Sequence, residues 1–239
     1  MKKIVYGIIC LTATFTKISL SCVDESDLKN GKHSFSPTRP SLFKFEKMTG
    51  TVTDTQEALK NGTDGNLLLM AAAENCRLNV IRYLLGHPNV NINGRDNREY
   101  ADGATPLLWA LADKPCPAGV KMLIENGADV NQTDNRGFTP LMSAVTEGWE
   151  GIVAELITAK ANVNAANQDG LTALHLTAKT NIAQMLMDAG ANINARDEHG
   201  HTPLDLALQY PEPYGYGESL AVFLKRQGAK TGTEITGTK

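Results

Sequence analysis

The residues best suited to chemistry in this 239-residue chain are acids and histidines near its C-terminal end. The run Asp-Glu-His-Gly-His at 197–201 places two carboxylates and two imidazoles within five residues. Such groups can hold a metal ion at a surface, but one short turn cannot easily surround it with four ligands. We therefore expect a solvated turn here rather than a metal site, and we expect no cofactor.

Sequence patterns that usually accompany catalysis are missing. The chain contains no G-x-S-x-G nucleophile turn, no H-E-x-x-H zinc helix and no phosphate-binding G-x-x-x-x-G-K-[ST] loop. We therefore expect that the protein is not an enzyme.

The first 21 residues have the features of a secretory signal peptide. Lys2 and Lys3 precede an apolar run at 4–15 that is too short to span a membrane, and Ser19 and Ser21 lie three and one residues before Cys22. We expect export to the periplasm or cell envelope. Cys22 also resembles the lipidated cysteine of a bacterial lipoprotein, although the usual Leu three residues earlier is replaced by Ser19, so a lipid anchor stays an open alternative.

Composition and charge limit the classes of partner. Hydrophobic residues make up 42% of the chain and charged residues 21%, which is typical of a globular protein. The segment 1–21 holds three of the 23 Lys and Arg residues and none of the 26 acids, so its removal changes the net charge from −3 to −6. An acidic chain is poorly suited to bind nucleic acid or anionic lipid, so we expect membrane contact only through a lipid on Cys22.

Two motifs recur in step along the body of the chain. Gly-x-Thr-Pro-Leu occurs at 103–107, 137–141 and 200–204, and Gly-Leu-Thr-Ala-Leu at 170–174, so the threonines are 34, 33 and 30 residues apart. The second motif is Gly-Ala-Asp-Val-Asn at 127–131, Lys-Ala-Asn-Val-Asn at 160–164 and Gly-Ala-Asn-Ile-Asn at 190–194. Short apolar segments with helical spacing lie between them, so each unit is predicted to be turn, helix, loop, helix.

This pattern resembles the ankyrin repeat, whose period is about 33 residues and whose first helix begins with T-P-L-H-x-A. The resemblance predicts an all-α ankyrin-repeat solenoid of about five repeats plus a partial N-terminal cap. We expect a signal peptide at 1–21, a flexible tether at 22–52, the repeat domain at 53–230 and a disordered tail at 231–239. His175 occupies the histidine position of the T-P-L-H pattern, so the resemblance implies that its role is structural.

Two insertions and a deletion distinguish the units. The second unit has an extra residue around Cys116, the fourth has lost three at the turn between its helices, and the fifth has gained about five at 210–217. We expect this last loop to fold over the shortened turn at 179–182, with Tyr210, Tyr214 or Tyr216 in contact with it.

Cys76 and Cys116 align at the same turn of the first two units. In an oxidising compartment they are candidates for a disulfide. Two separate buried thiols are the alternative, because equivalent positions in adjacent repeats lie farther apart than the ~7 Å between Cα atoms that a disulfide allows.

The resemblance implies a protein–protein interaction module that binds its partner with the hairpin tips and the inner helix ends. We expect the exposed apolar residues Phe138 and Leu171, flanked by arginines, to be the centre of the interface, because aromatic and Arg residues are frequent hot spots. The candidate partner-binding residues are Asn135, Arg136, Phe138, Gln168, Leu171, Arg196, His199, His201, Tyr210, Tyr214 and Tyr216. We expect a monomer that binds one other protein.

Other functions remain open on the sequence alone. The protein could be an inhibitor, immunity protein or accessory protein of one periplasmic enzyme. A metal-binding protein, a small-molecule-binding protein or an enzyme would need convergent polar groups in a pocket, whereas a solenoid surface is shallow.

Overall fold

The computed structural model describes residues 50–98, 101–112, 114–209 and 220–237. Within these ranges the chain forms twelve α-helices and no extended strand. The first and last helices are α1, Val52–Lys60, and α12, Gly232–Thr236, and five helix pairs lie between them. The first helices of the pairs are α2 (Gly65–Glu74), α4 (Pro106–Trp109), α6 (Pro140–Glu147), α8 (Ala173–Leu176) and α10 (Pro203–Gln209). The second helices are α3 (Leu78–Leu85), α5 (Pro117–Glu125), α7 (Glu150–Thr158), α9 (Thr180–Asp188) and α11 (Leu220–Arg226).

The helices pack in two rows. The five first helices form one row in which each contacts the next, and α3, α5, α7 and α9 form the other row. Helix α1 packs against α3 at the end of this second row, so it occupies the place of a second helix. The predicted all-α solenoid of five repeats with a partial N-terminal cap is therefore confirmed. In the part of the chain that is described, no helix is both long and apolar enough to cross a bilayer.

The recurring threonines begin the first helices. The Oγ1 atoms of Thr105 and Thr139 accept the N–H groups of Leu108 and Met142 at 3.3 and 3.1 Å, and a proline follows each threonine at the first helical position. These caps satisfy N–H groups that have no partner inside the helix. The leucine of each motif is only 1% exposed, so one short motif both starts the helix and anchors it in the core. These leucines are Leu107, Leu141, Leu174 and Leu204.

The second motif joins consecutive units. Its first polar residue closes a local turn: the Asp129 and Asn162 side chains accept the N–H of the residue two positions later, at 2.8 and 3.0 Å. Its second polar residue reaches the next unit, since Asn131 Oδ1 accepts the Asn162 N–H at 2.7 Å and Asn164 Oδ1 accepts the Asn192 N–H at 2.7 Å. In the Asp/Asn-x-Asn pattern, the first residue therefore closes the local turn and the second bonds to the next unit.

The predicted disorder of the tail at 231–239 is wrong for residues 231–236. Thr231 caps α12, and the Gly232 N–H donates to Asp205 Oδ2 of α10 at 2.7 Å. The Lys230 N–H also donates to Asn194 Oδ1 at 2.8 Å, as the next repeat would. Burial alone would raise the pKa of Asp205, but hydrogen bonds from Thr202 and Gly232 hold it below the usual value. The tail is ordered because it satisfies polar groups that the last repeat leaves open.

One boundary differs from the prediction, and one expectation about a loop stays a prediction. The repeat domain begins one residue before the predicted boundary at 53, because Thr51 caps a helix that starts at Val52.

At the shortened turn of the fourth unit, Lys179 Nζ reaches back to the Gly148 carbonyl at 2.8 Å and to Glu150 Oε1 at 3.4 Å. The tyrosine loop expected to cover this turn lies outside the described residues, as do the segment 1–49 and Cys22.

Candidate protein-binding surface

Each hairpin tip is a tight turn organised by its first polar side chain. The Asp134 N–H donates to the Phe138 carbonyl at 3.0 Å, and Asp134 Oδ1 accepts the N–H groups of Arg136 and Phe138 at 2.9 and 2.8 Å. Asn167 and Asp197 make the same set of bonds in the next two units. An Asp or Asn side chain that bonds its own following backbone fixes such a turn without help from a sheet. The conformation of each of these three tips is therefore held by bonds within the turn itself.

Neighbouring tips are also bonded to one another. The Asn135 N–H donates to the Asp102 carbonyl at 2.6 Å, the Gln168 N–H to the Arg136 carbonyl at 3.1 Å, and the Glu198 N–H to the Asp169 carbonyl at 3.0 Å. We call this row the tip edge, and it consists of residues 101–104, 134–138, 167–171 and 196–201, where Arg196 Nε donates to the Gly200 carbonyl at 3.2 Å. It forms one continuous surface along four units.

Glycine is required where the tips meet. Gly137 and Gly170 have φ values of +82° and +78°. Residues with a side chain rarely adopt such positive φ values, because the Cβ atom clashes with the backbone. A Cβ atom on Gly137 would lie 3.0 Å from Asn167 Cα, and one on Gly170 would lie 2.8 Å from the Glu198 nitrogen. The Gly of the first motif therefore allows both the turn and the approach of the next tip.

Most of the predicted partner-binding residues that are described lie exposed on the tip edge. The exposed ones are Asn135, Arg136, Gln168, Arg196, His199 and His201. Phe138 is half-buried against the core. Tyr210, Tyr214 and Tyr216 lie outside the described residues.

The prediction that Leu171 is an exposed apolar residue is wrong. Leu171 is 2% exposed and belongs to the hydrophobic core. Its N–H donates to Asn167 Oδ1 at 2.9 Å and its carbonyl accepts the Asn167 N–H at 3.0 Å, so the turn closes over it. The residue before the capping threonine therefore faces inward, and the expected apolar pair at the centre of an interface does not exist.

Arg136 is engaged within the molecule. Its guanidinium group lies 3.6 Å from the Asp102 carboxylate and 3.7 Å from the Asp134 carboxylate, and it covers the Phe138 ring at 5.5 Å from the ring centre. The side chain is 46% exposed, so these contacts contribute only modestly to stability. Replacing Arg136 or Phe138 would therefore change contacts within the molecule as well as the surface.

Arg95 links the second unit to the third. Its Nη2 atom donates to the Thr133 carbonyl at 2.7 Å, and its Nη1 atom lies 3.3 Å from Asn135 Oδ1. No local sequence pattern reveals this role of Arg95, because its partners are 38 and 40 residues away.

The histidines of the tip edge have separate partners. His201 Nδ1 lies 3.3 Å from Asp197 Oδ2, and His199 Nε2 lies 3.4 Å from Glu198 Oε1. Asp197 already accepts two backbone N–H groups, which reduces its capacity to bind a metal ion. Across the described ranges, no three His, Cys, Asp or Glu residues are grouped in a way that could hold a metal ion.

His175 has a structural environment. It is 3% exposed, its Nδ1 atom accepts the Thr172 N–H at 3.1 Å, and its Nε2 atom lies 3.2 Å from the His201 carbonyl oxygen. These partners favour the neutral ring with its proton on Nε2. Burial lowers the pKa of His175, and the hydrogen bond to His201 only partly offsets this effect. The ring therefore connects two units as a neutral group.

A shallow groove lies on the opposite row of helices, and sequence reasoning missed it. Its volume is about 210 Å³, and it lies between α5 and α7, beside the turn that precedes α5. The residues that line it are mainly apolar: Pro115, Pro117, Val120, Trp149, Glu150, Gly151, Ile152 and Glu155. Pro115, Pro117 and Trp149 are the residues in the sequence that could have indicated an apolar groove here. This groove is an alternative surface for a partner.

Comparison with known proteins agrees with this architecture. A family model described as ankyrin repeats matches in three overlapping copies, at residues 47–134, 69–167 and 141–234. The chain is 34% identical over 178 residues to ankyrin repeat protein FPV031 of fowlpox virus, which covers 71% of this chain and 50% of that protein. It is 36% identical over 155 residues to neurogenic locus notch homolog protein 1 of Xenopus tropicalis, 62% of this chain and 6% of that protein.

A bacterial relative has a shorter match. Ankyrin repeat protein YahD of Escherichia coli K12 is 36% identical over 101 residues, which is 41% of this chain and 48% of that protein. The chain thus spans half or less of the length of each of these three relatives. Because the family model covers most of the chain and the repeats recur in the structure, this chain belongs to the ankyrin repeat family.

Proposed function

We propose that this chain is an exported binding module that recognises another protein with its tip edge and the adjoining ends of the first helices. Ankyrin repeats are protein–protein interaction modules. The family is generally non-enzymatic, and we assign no catalytic role to any residue of this chain. The specific surface, the partner and export are the proposed elements.

The observation that carries the proposal is the row of backbone hydrogen bonds between neighbouring tips. Asn135, Gln168 and Glu198 each donate their N–H to a carbonyl of the preceding tip. A surface that is already ordered loses little conformational entropy on binding, so more of the contact energy appears as affinity. The backbone of this edge therefore holds the side-chain attachment points in a fixed arrangement.

The chemistry of the edge favours a polar partner surface. Gln168 and Arg196 are exposed, and each has one donor engaged: Gln168 Nε2 donates to the Asn135 carbonyl at 2.7 Å and Arg196 Nε to the Gly200 carbonyl at 3.2 Å. The remaining N–H groups of these two side chains, together with the exposed pair of His199 and Glu198, are the polar groups offered to a partner. At the end of α10, on the same repeat as the last tip, Leu208 is 43% exposed and offers an apolar group. We infer that the partner presents carboxylate or carbonyl groups around an apolar centre, because charged and hydrogen-bonding groups fix orientation whereas buried apolar groups supply affinity.

Export is proposed from the N-terminal sequence. Lys2, Lys3 and the apolar run at 4–15 support a signal peptide, and Cys22 supports a lipid anchor as one form of the mature protein. Mass spectrometry of the protein recovered from an expressing bacterial cell tests both. A mature chain that begins at Cys22 with an acyl mass supports the anchor, an unmodified Cys22 supports a free periplasmic protein, and an intact Met1 in the cytosol contradicts export.

Affinity capture with matched variants tests the binding surface. The tip variant Glu198→Ala/His199→Ala changes an exposed pair of the edge, with side chains 48% and 53% exposed, and the control Lys121→Ala/Glu125→Ala changes an exposed ion pair on α5, both side chains being 60% exposed. A loss of about 2 kcal/mol at a hot spot corresponds to about thirtyfold weaker binding. We expect this loss for the tip variant alone. Equal binding by both variants and the unchanged protein contradicts the assignment.

A further inference from the structure

A disulfide joins the first two repeats at their helix–helix turns. Cys76 lies between α2 and α3, and Cys116 is the residue that caps α5. Their Cα atoms are 5.3 Å apart, although 40 residues separate them in sequence. We propose that this disulfide is an exchange site for external thiols, at which Cys76 receives the incoming sulfur and Cys116 is the leaving thiolate.

The two cysteines differ in their access to solvent. Cys76 is an exposed residue, whereas Cys116 is completely buried. A thiolate can attack a disulfide only at a sulfur that it can approach, and exposed disulfides are generally the labile ones. The incoming thiol is therefore directed to Cys76.

A backbone donor at the start of α5 stabilises Cys116 as a leaving thiolate, against the cost of its burial. Its Sγ atom accepts the Gly119 N–H at 3.2 Å, at the N-terminus of the nine-residue helix α5. A Cβ atom on residue 119 would lie 2.8 Å from this sulfur, so glycine leaves the space that the sulfur occupies. Helix N-termini stabilise a thiolate, and a stabilised thiolate leaves a disulfide faster.

The backbone at Cys76 adds a second reason for lability. Cys76 has φ of +54°, in the left-handed region that residues with a side chain disfavour. The matching turn of the third unit carries Gly148, with φ of +73°. The oxidised protein therefore holds a cysteine at a position where glycine would fit without strain, so the turn that carries the attacked sulfur is strained.

The proposed step is a redox-neutral exchange. An external thiolate forms a new S–S bond to Cys76 Sγ while the bond between Cys76 and Cys116 breaks, and the electron pair leaves on Cys116 Sγ. A second external thiol can then attack the mixed disulfide, which releases an oxidised dimer of the thiol and leaves Cys76 reduced. The site lies on the first two repeats, away from the exposed residues of the tip edge, so this proposal does not depend on the proposed function.

Reduced glutathione is the probe for the test, applied to the full, oxidised chain in native buffer. After acid quenching, digestion with trypsin separates the two cysteines because Arg77, Arg82 and Arg95 lie between them. We expect at least about tenfold more glutathione on the peptide with Cys76 than on the peptide with Cys116. Equal labelling, or labelling mainly at Cys116, overturns the proposal.

Two further measurements separate exchange in the folded protein from exchange after unfolding. The rate should not rise with low concentrations of urea, whereas exchange that requires global unfolding accelerates with urea. With oxidised glutathione as the probe, the variant Cys116→Ser should be labelled readily at Cys76, and the matched variant Cys76→Ser should be labelled at Cys116 only in urea. A rate that follows global unfolding, or equal reactivity of the two variants, contradicts the assignment of Cys76.

Discussion

Asn131 Oδ1 accepts the backbone N–H of Asn162 at 2.7 Å, so an asparagine of one repeat bonds to the start of the same motif in the next. The same relationship recurs from Asn93 to Asp129 at 2.8 Å, from Asn164 to Asn192 at 2.7 Å and from Asn194 to Lys230 at 2.8 Å. Because a solenoid is stabilised by contacts between neighbours, each bond acts at the junctions that give the stack its cooperativity.

Replacement of Asn131 by Ala should destabilise the protein by about 0.5–1.5 kcal/mol, since it removes one hydrogen bond between units. Urea unfolding followed by circular dichroism measures the change. Asn126→Ala is the matched control, because the Asn126 amide bonds only to the Met122 carbonyl of its own helix end. An equal loss for the two variants would show that the junction bond has no special weight.

Stability should fall at acid pH partly because of His175. Burial lowers its pKa in the folded state below the ordinary value of 6.5, so near and below that pH the unfolded chain binds more protons than the folded one. Its contribution is therefore complete at neutral pH and is lost as the pH falls through 6.5 toward the folded-state pKa. The slope from this single proton cannot exceed about 1.4 kcal/mol per pH unit.

The variant His175→Gln removes this proton and should show a weaker loss of stability between pH 7 and pH 5 than the unchanged protein. The control His199→Gln alters a histidine whose side chain is 53% exposed and should retain the full dependence. Urea unfolding at several pH values provides the comparison. If His175→Gln has the same pH dependence as the unchanged protein, His175 does not carry the proton that is linked to folding.

The repeat architecture could be predicted because its determinants are local. Thr139 and Pro140 predict the start of a helix. Asn162 and Asn164 predict a turn and a bond to the next repeat, and each of these signals lies within a few residues of sequence. The periodic recurrence of such signals identifies units without any knowledge of long-range contacts. Within the described ranges, the repeat architecture differs from the prediction only in its start at Val52 and in the ordered tail at 231–236.

The candidate site was less predictable because its side chains are placed by neighbouring units. Leu171 follows a surface turn, yet the closure of that turn on Asn167 directs it into the core. Arg136 is a typical hot-spot residue, but Asp102 lies 34 residues earlier and engages it. A pattern of residue types within one unit does not contain these contacts.

Protein recovered from an exporting cell without reductant should contain no free thiol at Cys76 or Cys116. The structure brings these residues within bonding geometry, and an oxidising compartment would retain the bond. Thiol counting on the unfolded chain, with peptide mapping to separate these cysteines from the others, is the measurement. Two reactive thiols at these positions would contradict a stable bond in the cell.

Removal of the disulfide should cost about 2–4 kcal/mol, because it closes a loop of about 40 residues in the unfolded chain. We expect Cys76→Gly/Cys116→Ala to be about 0.5–1 kcal/mol more stable than Cys76→Ala/Cys116→Ala, since only glycine accepts positive φ without strain. Urea unfolding of both double variants tests this order. If the alanine variant is the more stable, the left-handed backbone at Cys76 carries no strain.

The ordered tail can be tested at Gly232. A Cβ atom at this position would lie 2.2 Å from the Gly200 carbonyl oxygen, so Gly232→Ala should displace α12 from the last repeat. Amide hydrogen exchange in residues 231–236 should then become faster. Gly151→Ala is the control, because no atom lies within 4 Å of the added methyl group, and it should leave this exchange unchanged. Unchanged exchange in Gly232→Ala would contradict the docked tail.

The central claim is that the tip edge binds a partner protein, and site-specific photo-crosslinking in the exporting cell tests it most directly. A photo-reactive residue is placed at His199 on the tip edge, at Lys121 on α5 in the row of second helices, or at Glu155, which lines the groove between α5 and α7. The side chains of His199 and Lys121 are 53% and 60% exposed, so the probes have similar access. We predict one discrete crosslinked protein from His199 and none from the other two positions. A discrete product from Lys121 or Glu155, with none from His199, would contradict the account.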